Sequence, residues 1–193
     1  NRQGFLALFR LLLRQSGGQL DYSRLANLSE MSRVTVKAHI EAMQIAHVVH
    51  LLRPFHGGGK REIVSRPKCY AFDTGFVTFE KGWDTIRSDD RGLLWEHLVL
   101  DSLRFHYADE DISYWQDKSR REIDFVIRRE RDRVDVVECK INPDRLDATA
   151  AEAFRALYPA GDNYVVSPAV KTPTRLRRGE LVFTACNTGD FPL

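Results

Sequence analysis

The chain has 193 residues, 43% hydrophobic and 29% charged, with a net charge of +2. That composition fits one ordinary domain or two small ones and excludes a low-complexity or largely disordered chain. No apolar run approaches the ~20 residues that span a bilayer, and no secretion signal opens the chain, so a cytoplasmic protein with no membrane contact is expected.

From the N-terminus, Phe5, Leu6, Phe9, Leu12 and Leu13 recur at helical spacing and predict a helix over 3–16, with Gly17 and Gly18 as its stop. Asp21 is placed to cap a short helix carrying Tyr22, Leu25 and Leu28, and Ser32 a third whose buried stripe is Val36, Ile40 and Met43. The β-branched run 48–52, a loop over 56–61 and the run 68–72 predict a hairpin. Residues 1–68 carry 11 Lys/Arg against 4 Asp/Glu, whereas the remainder carries 18 against 23. A basic module joined to a mildly acidic one suits a polyanion partner for the first and a cluster of carboxylates in the second; the alternative is two solvated surfaces of unequal charge.

Beyond an expected linker over 77–90, the stretch 92–103 predicts an amphipathic helix in which Glu96 shares a face with Leu93, Leu100 and Leu103 and is directed at the core. Strands follow over 112–116, 122–128 and 134–141. Alternation puts Asp124 with Val126 on one face of the second, and Val134, Val136, Glu138 and Lys140 on one face of the third. A strand-turn-strand unit aligns Asp124 with Glu138, and Glu96 closes the group. Three neighbouring carboxylates repel one another, which Mg²⁺ (or Mn²⁺) relieves through oxygen ligands. Lys140 beside such an ion would orient or help deprotonate water and stabilise charge developing on a phosphate. The alternative is a buried ion pair of Glu138 with Lys140, with Asp124 satisfied by Arg120 or Arg121. A helix over 146–158 and strands over 163–166 and 181–186 complete the pattern, and Arg175, Arg177 and Arg178 are expected in a solvated loop near Gly179, with an extended phosphate-binding surface as the alternative. Cys69, Cys139 and Cys186 are too scattered for a zinc site or disulfide framework and read as reduced structural cysteines.

Two resemblances attach to these residues. The three helices and hairpin of 1–76 resemble a winged helix-turn-helix, which implies DNA contacts from Arg33, Thr35, Lys37 and His39 on the third helix and from Lys60, Arg61, Arg66 and Lys68 on the wing. Winged helices also serve as protein-docking spacers, and that alternative stays open. The order Glu96, Asp124, Glu138-Cys139-Lys140 over 91–193 resembles the PD-(D/E)XK nuclease superfamily, with Ile123 where the motif's proline would stand. The resemblance implies an α/β (α+β) fold, a restriction-endonuclease-like mixed sheet flanked by helices. It also implies Asp124, Glu138 and the Cys139 carbonyl as metal ligands, Lys140 as the catalytic lysine and Glu96 as an accessory acid.

At larger scale, the segments 68–76, 92–99, 121–126 and 136–140 resemble the C-terminal half of a group of prokaryotic AAA-type ATPases, in which a winged helix and a nuclease-like domain of unassigned function follow the ATPase. This implies an ATPase module of the same full-length chain as a partner, preceding Asn1. Two functions follow: a Mg²⁺-dependent DNA endonuclease, or a catalytically silent module for DNA or protein binding that regulates the ATPase. Self-association is left open.

Overall fold

The computed structural model describes residues 2–57, 66–130 and 132–191. Among these, 2–53 and 66–87 form one compact unit, and 54–57 with 88–191 form a second. The class is mixed α/β, as the pattern predicts. No helix among the described residues is long and apolar enough to cross a membrane.

The first unit contains α1 (Arg2–Arg14), β1 (Gly18–Gln19), α2 (Tyr22–Leu28), α3 (Arg33–Ile45), β2 (Val49–Pro54), β3 (Lys68–Ala71) and α4 (Thr74–Lys81). Both predicted caps form: the Asp21 carboxylate accepts from the backbone N–H of Ser23 and Arg24, and the Ser32 hydroxyl from that of Thr35. Leu8 and Leu12 of α1 pack with Leu25 of α2, with Val36, Ile40 and Met43 of α3, and with Val49 and Cys69 of the strands. The strands lie antiparallel in the order β1-β3-β2. The expected linker starts instead as helix. Asp73 caps α4 by accepting from Gly75 N and Phe76 N, Val77 packs with Leu13 and Ala71, and Gly82 ends the helix at φ 65°, a conformation glycine adopts without steric cost.

The second unit contains α5 (Arg91–His106), β4 (Ile112–Gln116), β5 (Glu122–Glu130), β6 (Arg133–Cys139), a short 3₁₀ turn (Pro143–Arg145), α6 (Thr149–Arg155), β7 (Asn163–Val166), β8 (Thr174–Arg178) and β9 (Leu181–Cys186). Its strands follow the order β4-β5-β6-β7-β9-β8. The first three are antiparallel, β6, β7 and β9 run parallel, and β8 pairs antiparallel with β9. On one face, Ala151 and Phe154 of α6 pack against Val126, Val134, Val136, Val165, Phe183 and Ala185. α5 lies against β6, and the Trp95 indole N–H donates to the Val166 carbonyl at 2.9 Å. Val134 through Val137 and Glu138 are all buried, so β6 is covered on both faces, as a central strand should be.

Two elements depart from expectation. The helix at 146–158 is shorter, because the chain leaves α6 at Arg155, whose guanidinium then holds the following loop. The arginine-rich segment 174–178 is not a solvated loop. It is edge strand β8, turned onto β9 at Gly179, whose φ is 55°.

Candidate functional site

The site begins with register. Phe125 pairs with Val137 and Val126 with Val136 on antiparallel β5 and β6, so the next step along each strand sets Asp124 opposite Glu138. Directly opposed side chains in such a pair stand on the same face, which brings two carboxylates together at the end of a buried sheet. Lys140 closes the pair. Its ammonium lies 2.8 Å from Glu138 Oε2 and 3.5 Å from Asp124 Oδ2. Asp124 Oδ2 also accepts a 2.7 Å hydrogen bond from the Cys139 N–H, which fixes the carboxylate against the end of β6.

Burial makes this cluster electrostatically tense. Glu138 is 3% exposed. Loss of solvent, and then the Asp124 charge, push its carboxyl up to about 8, with Lys140 opposing the shift. Burial alone would depress Lys140, but the Asp124 and Glu138 carboxylates outweigh it and hold the ammonium above its ordinary range. Lys140 is therefore a persistent cation rather than a base. The Cys139 thiol is pushed well up by burial, with Asp124 and Glu96 adding to the effect, and burial pushes Cys69 up to about 12 and Cys186 up to about 11. All three cysteines are free and poorly nucleophilic.

Glu96 reaches this neighbourhood, since its charge acts on Cys139, but not as the helical pattern predicts. The buried residues of α5 are His97, Val99, Leu100 and Leu103, and Glu96 is half-buried on the flank of that stripe. His97, 3% exposed, takes the inward place. Neither Arg120 nor Arg121 serves Asp124 as an ion-pair partner. Arg121 instead donates to Asp117 at 2.7 Å.

One acid escapes the motif. Glu122 raises Glu138 electrostatically and accepts from the Gln116 amide at 2.7 Å. It sits two residues before Asp124 on the same strand, hence on the same face, and that spacing was the available signal.

The Asp124 and Glu138 carboxylates at the strand end are hard oxygen donors. Mg²⁺ is commonly held by one or two carboxylates while keeping several waters, and the paired acids fit that mode. Among the described residues, no three His, Cys, Asp or Glu side chains gather closely enough to form an all-protein cage.

The residues expected to meet DNA lie in the first unit and fare unevenly. Arg33, Thr35 and Lys37 are exposed on α3. The Lys37 ammonium lies 5.5 Å from the centre of the Tyr22 ring, and the Thr35 hydroxyl shares a 2.7 Å hydrogen bond with that of Ser32. His39 is half-buried, its ring edge-on to Phe5 at 5.3 Å. Arg66 is paired with Asp21 at 3.0 Å. Lys68 is a correction: at 4% exposed it is not available to DNA, because β3 lies between β1 and β2 and all four of its residues are buried. Lys60 and Arg61 lie outside the described residues.

Comparison with known proteins adds context. Residues 1–86 match a domain of unknown function, DUF8612, and residues 91–186 match another, DUF4143. The chain is also similar to uncharacterized proteins of Mycobacterium bovis and Mycobacterium tuberculosis, 29% identical in each case over 122 residues. The match takes in 61% of this chain and 27% of each relative, so the chain spans only about a quarter of the relatives' length.

Proposed function

We propose that this chain is the DNA-binding and nuclease-like part of a larger AAA-type ATPase, and that Asp124, Glu138 and Lys140 hydrolyse phosphodiester bonds with Mg²⁺ or Mn²⁺. One observation carries the reading: on paired strands at the end of a buried sheet, two carboxylates meet the same ammonium. The three helices with antiparallel strands in the first unit support a winged helix, and the mixed sheet with helices against it supports the PD-(D/E)XK fold.

In this reading Asp124, Glu138 and the Cys139 carbonyl hold the ion, with Glu96 as an accessory acid. A bound divalent cation supplies Lewis-acid polarisation of the phosphoryl group and acidifies a water. Lys140, held as an ammonium by both carboxylates, turns its charge toward the phosphate and stabilises the negative charge that develops there. The Cys139 N–H orients Asp124 by its hydrogen bond.

The second reading is a catalytically silent module that binds DNA or protein and regulates the ATPase. It is favoured by the Lys140 ammonium, which already compensates both acids as a structural ion pair would. Incubation with supercoiled and branched DNA and Mg²⁺ or Mn²⁺, beside an Asp124→Ala control, separates the two. The enzyme reading expects cleavage that the variant loses. Equal cutting by both proteins, or none with either metal, overturns it and leaves the silent module.

A further inference from the structure

The turn that joins β4 to β5 stands at the mouth of the site. Gln116 and Glu122 are the last pair of that hairpin before the turn. Phe125 pairs with Val137 on β6, so Asp124 falls opposite Glu138 and Glu122 opposite Lys140. The turn, residues 117–121, therefore begins one residue past the level of Lys140. It projects beyond the end of the sheet, where Lys118, Ser119 and Arg120 are all exposed. Arg120 is four residues from Asp124, about 13 Å along an extended strand.

This turn is tightly tied and uses its cations unequally. Asp117, 9% exposed, accepts through Oδ1 from the Ser119 N–H at 2.9 Å and the Arg121 N–H at 3.0 Å, and through Oδ2 from the Arg121 guanidinium at 2.7 Å. The Arg120 N–H donates to the Asp117 carbonyl at 3.0 Å, and the Asp117 N–H to the Arg121 carbonyl at 3.1 Å. Arg121 is thus taken up in holding the loop, whereas Lys118 and Arg120 have no ion pair among the described residues. Arg120 also holds φ at 62°, a left-handed conformation with a steric cost that glycine escapes. A residue kept in such a conformation points to a use for its side chain. Cations carried on a backbone already ordered lose less freedom when a ligand arrives.

We propose that Lys118 and Arg120 hold the backbone of the DNA strand whose phosphodiester lies at Asp124, Glu138 and Lys140. The identity of the ligand rests on the function proposed above; the placement and rigidity of the turn do not. A strand with one phosphate at the site carries the next ones past the turn, since at about 3.4 Å of rise per nucleotide 13 Å spans roughly four of them. Such contacts position the substrate and read no sequence. Arg175 and Arg177 of β8 provide a contrast. They face away from the side on which Leu176 packs with Val126 and Val136 beneath α6, and hence away from Asp124 and Glu138. Both are exposed, so they carry the same charge on the reverse face of the sheet.

Equilibrium binding of a short duplex by the intact chain, measured by fluorescence anisotropy in EDTA between about 50 and 200 mM salt, provides the test. Each lost phosphate contact flattens the plot of log K against log [salt] by about 0.9, so Lys118→Gln with Arg120→Gln should flatten it by roughly 2. Arg175→Gln with Arg177→Gln should leave it unchanged. Arg120→Gly should flatten it by roughly 1 and melt no lower than the parent chain, because glycine relieves the backbone at that position. An unchanged slope in the turn variant overturns the proposal, as does an equal loss in the reverse-face variant or absence of binding by the parent. A thermal midpoint of Arg120→Gly well below that of the parent makes Arg120 a structural residue and overturns it too. Because EDTA removes cleavage from the measurement, a flattened slope supports the contact even if no DNA is ever cut. Cleavage with an unchanged slope would sink the contact and leave the nuclease standing.

Discussion

At the scale of single residues, Glu138 concentrates the cost of the site. A carboxyl with a raised folded-state pKa retains its proton where the unfolded chain has released it. Its stabilising contribution is therefore complete below the ordinary glutamate range and is lost as pH rises through the folded value of about 8. Glu138→Gln removes that titration while preserving shape. The thermal midpoint of the variant relative to the parent should rise as the pH goes from 6 to 9, with metal chelated throughout. Parallel midpoints across that range would refute the account of Glu138. The acids themselves were legible because strand alternation has a period of two, so charged residues following a run of valines stand out. Glu96 and His97 were harder. Neighbours on a helix are about 100° apart, and with leucines at 93, 94, 98 and 100 either one could have been taken for the inward residue.

At the scale of elements, the end of α6 is held by a single side chain. Arg155 donates to the carbonyls of Val134, Tyr158, Ala160 and Asp162 at 2.6–3.1 Å and to the Asn163 amide oxygen at 2.7 Å. It thereby ties the loop after α6 to the first residues of β6 and β7. Arg155→Met keeps the apolar stem but strands several buried acceptors, which should cost on the order of 3 kcal/mol or more in a denaturant titration. A loss below about 1 kcal/mol would mean that water replaces the guanidinium. None of this network was visible in the sequence, because its partners are backbone carbonyls brought in from other elements. β8 was hidden for a related reason: Thr-Arg-Leu-Arg-Arg has one apolar residue, and only pairing with β9 makes it a strand. The caps at Asp21 and Ser32, being local, were legible.

At the scale of the molecule, the division into a basic first unit and a carboxylate-bearing second one follows the charge pattern of the chain. Composition could not reveal that Lys68 is enclosed between two strands, since burial of a charge depends on which strand becomes central. The candidate site is likewise a product of assembly, with β5 and β6 contributing acids 14 positions apart in the chain. The central claim is that Asp124 and Glu138 act as one cation site. It is tested most directly by titrating the protein with Mn²⁺ and following the free ion by electron paramagnetic resonance, alongside Asp124→Asn and Glu138→Gln. The account predicts a saturable Mn²⁺ site in the parent chain that either substitution weakens at least tenfold. Equal Mn²⁺ binding in all three proteins, or none in the parent, would contradict it.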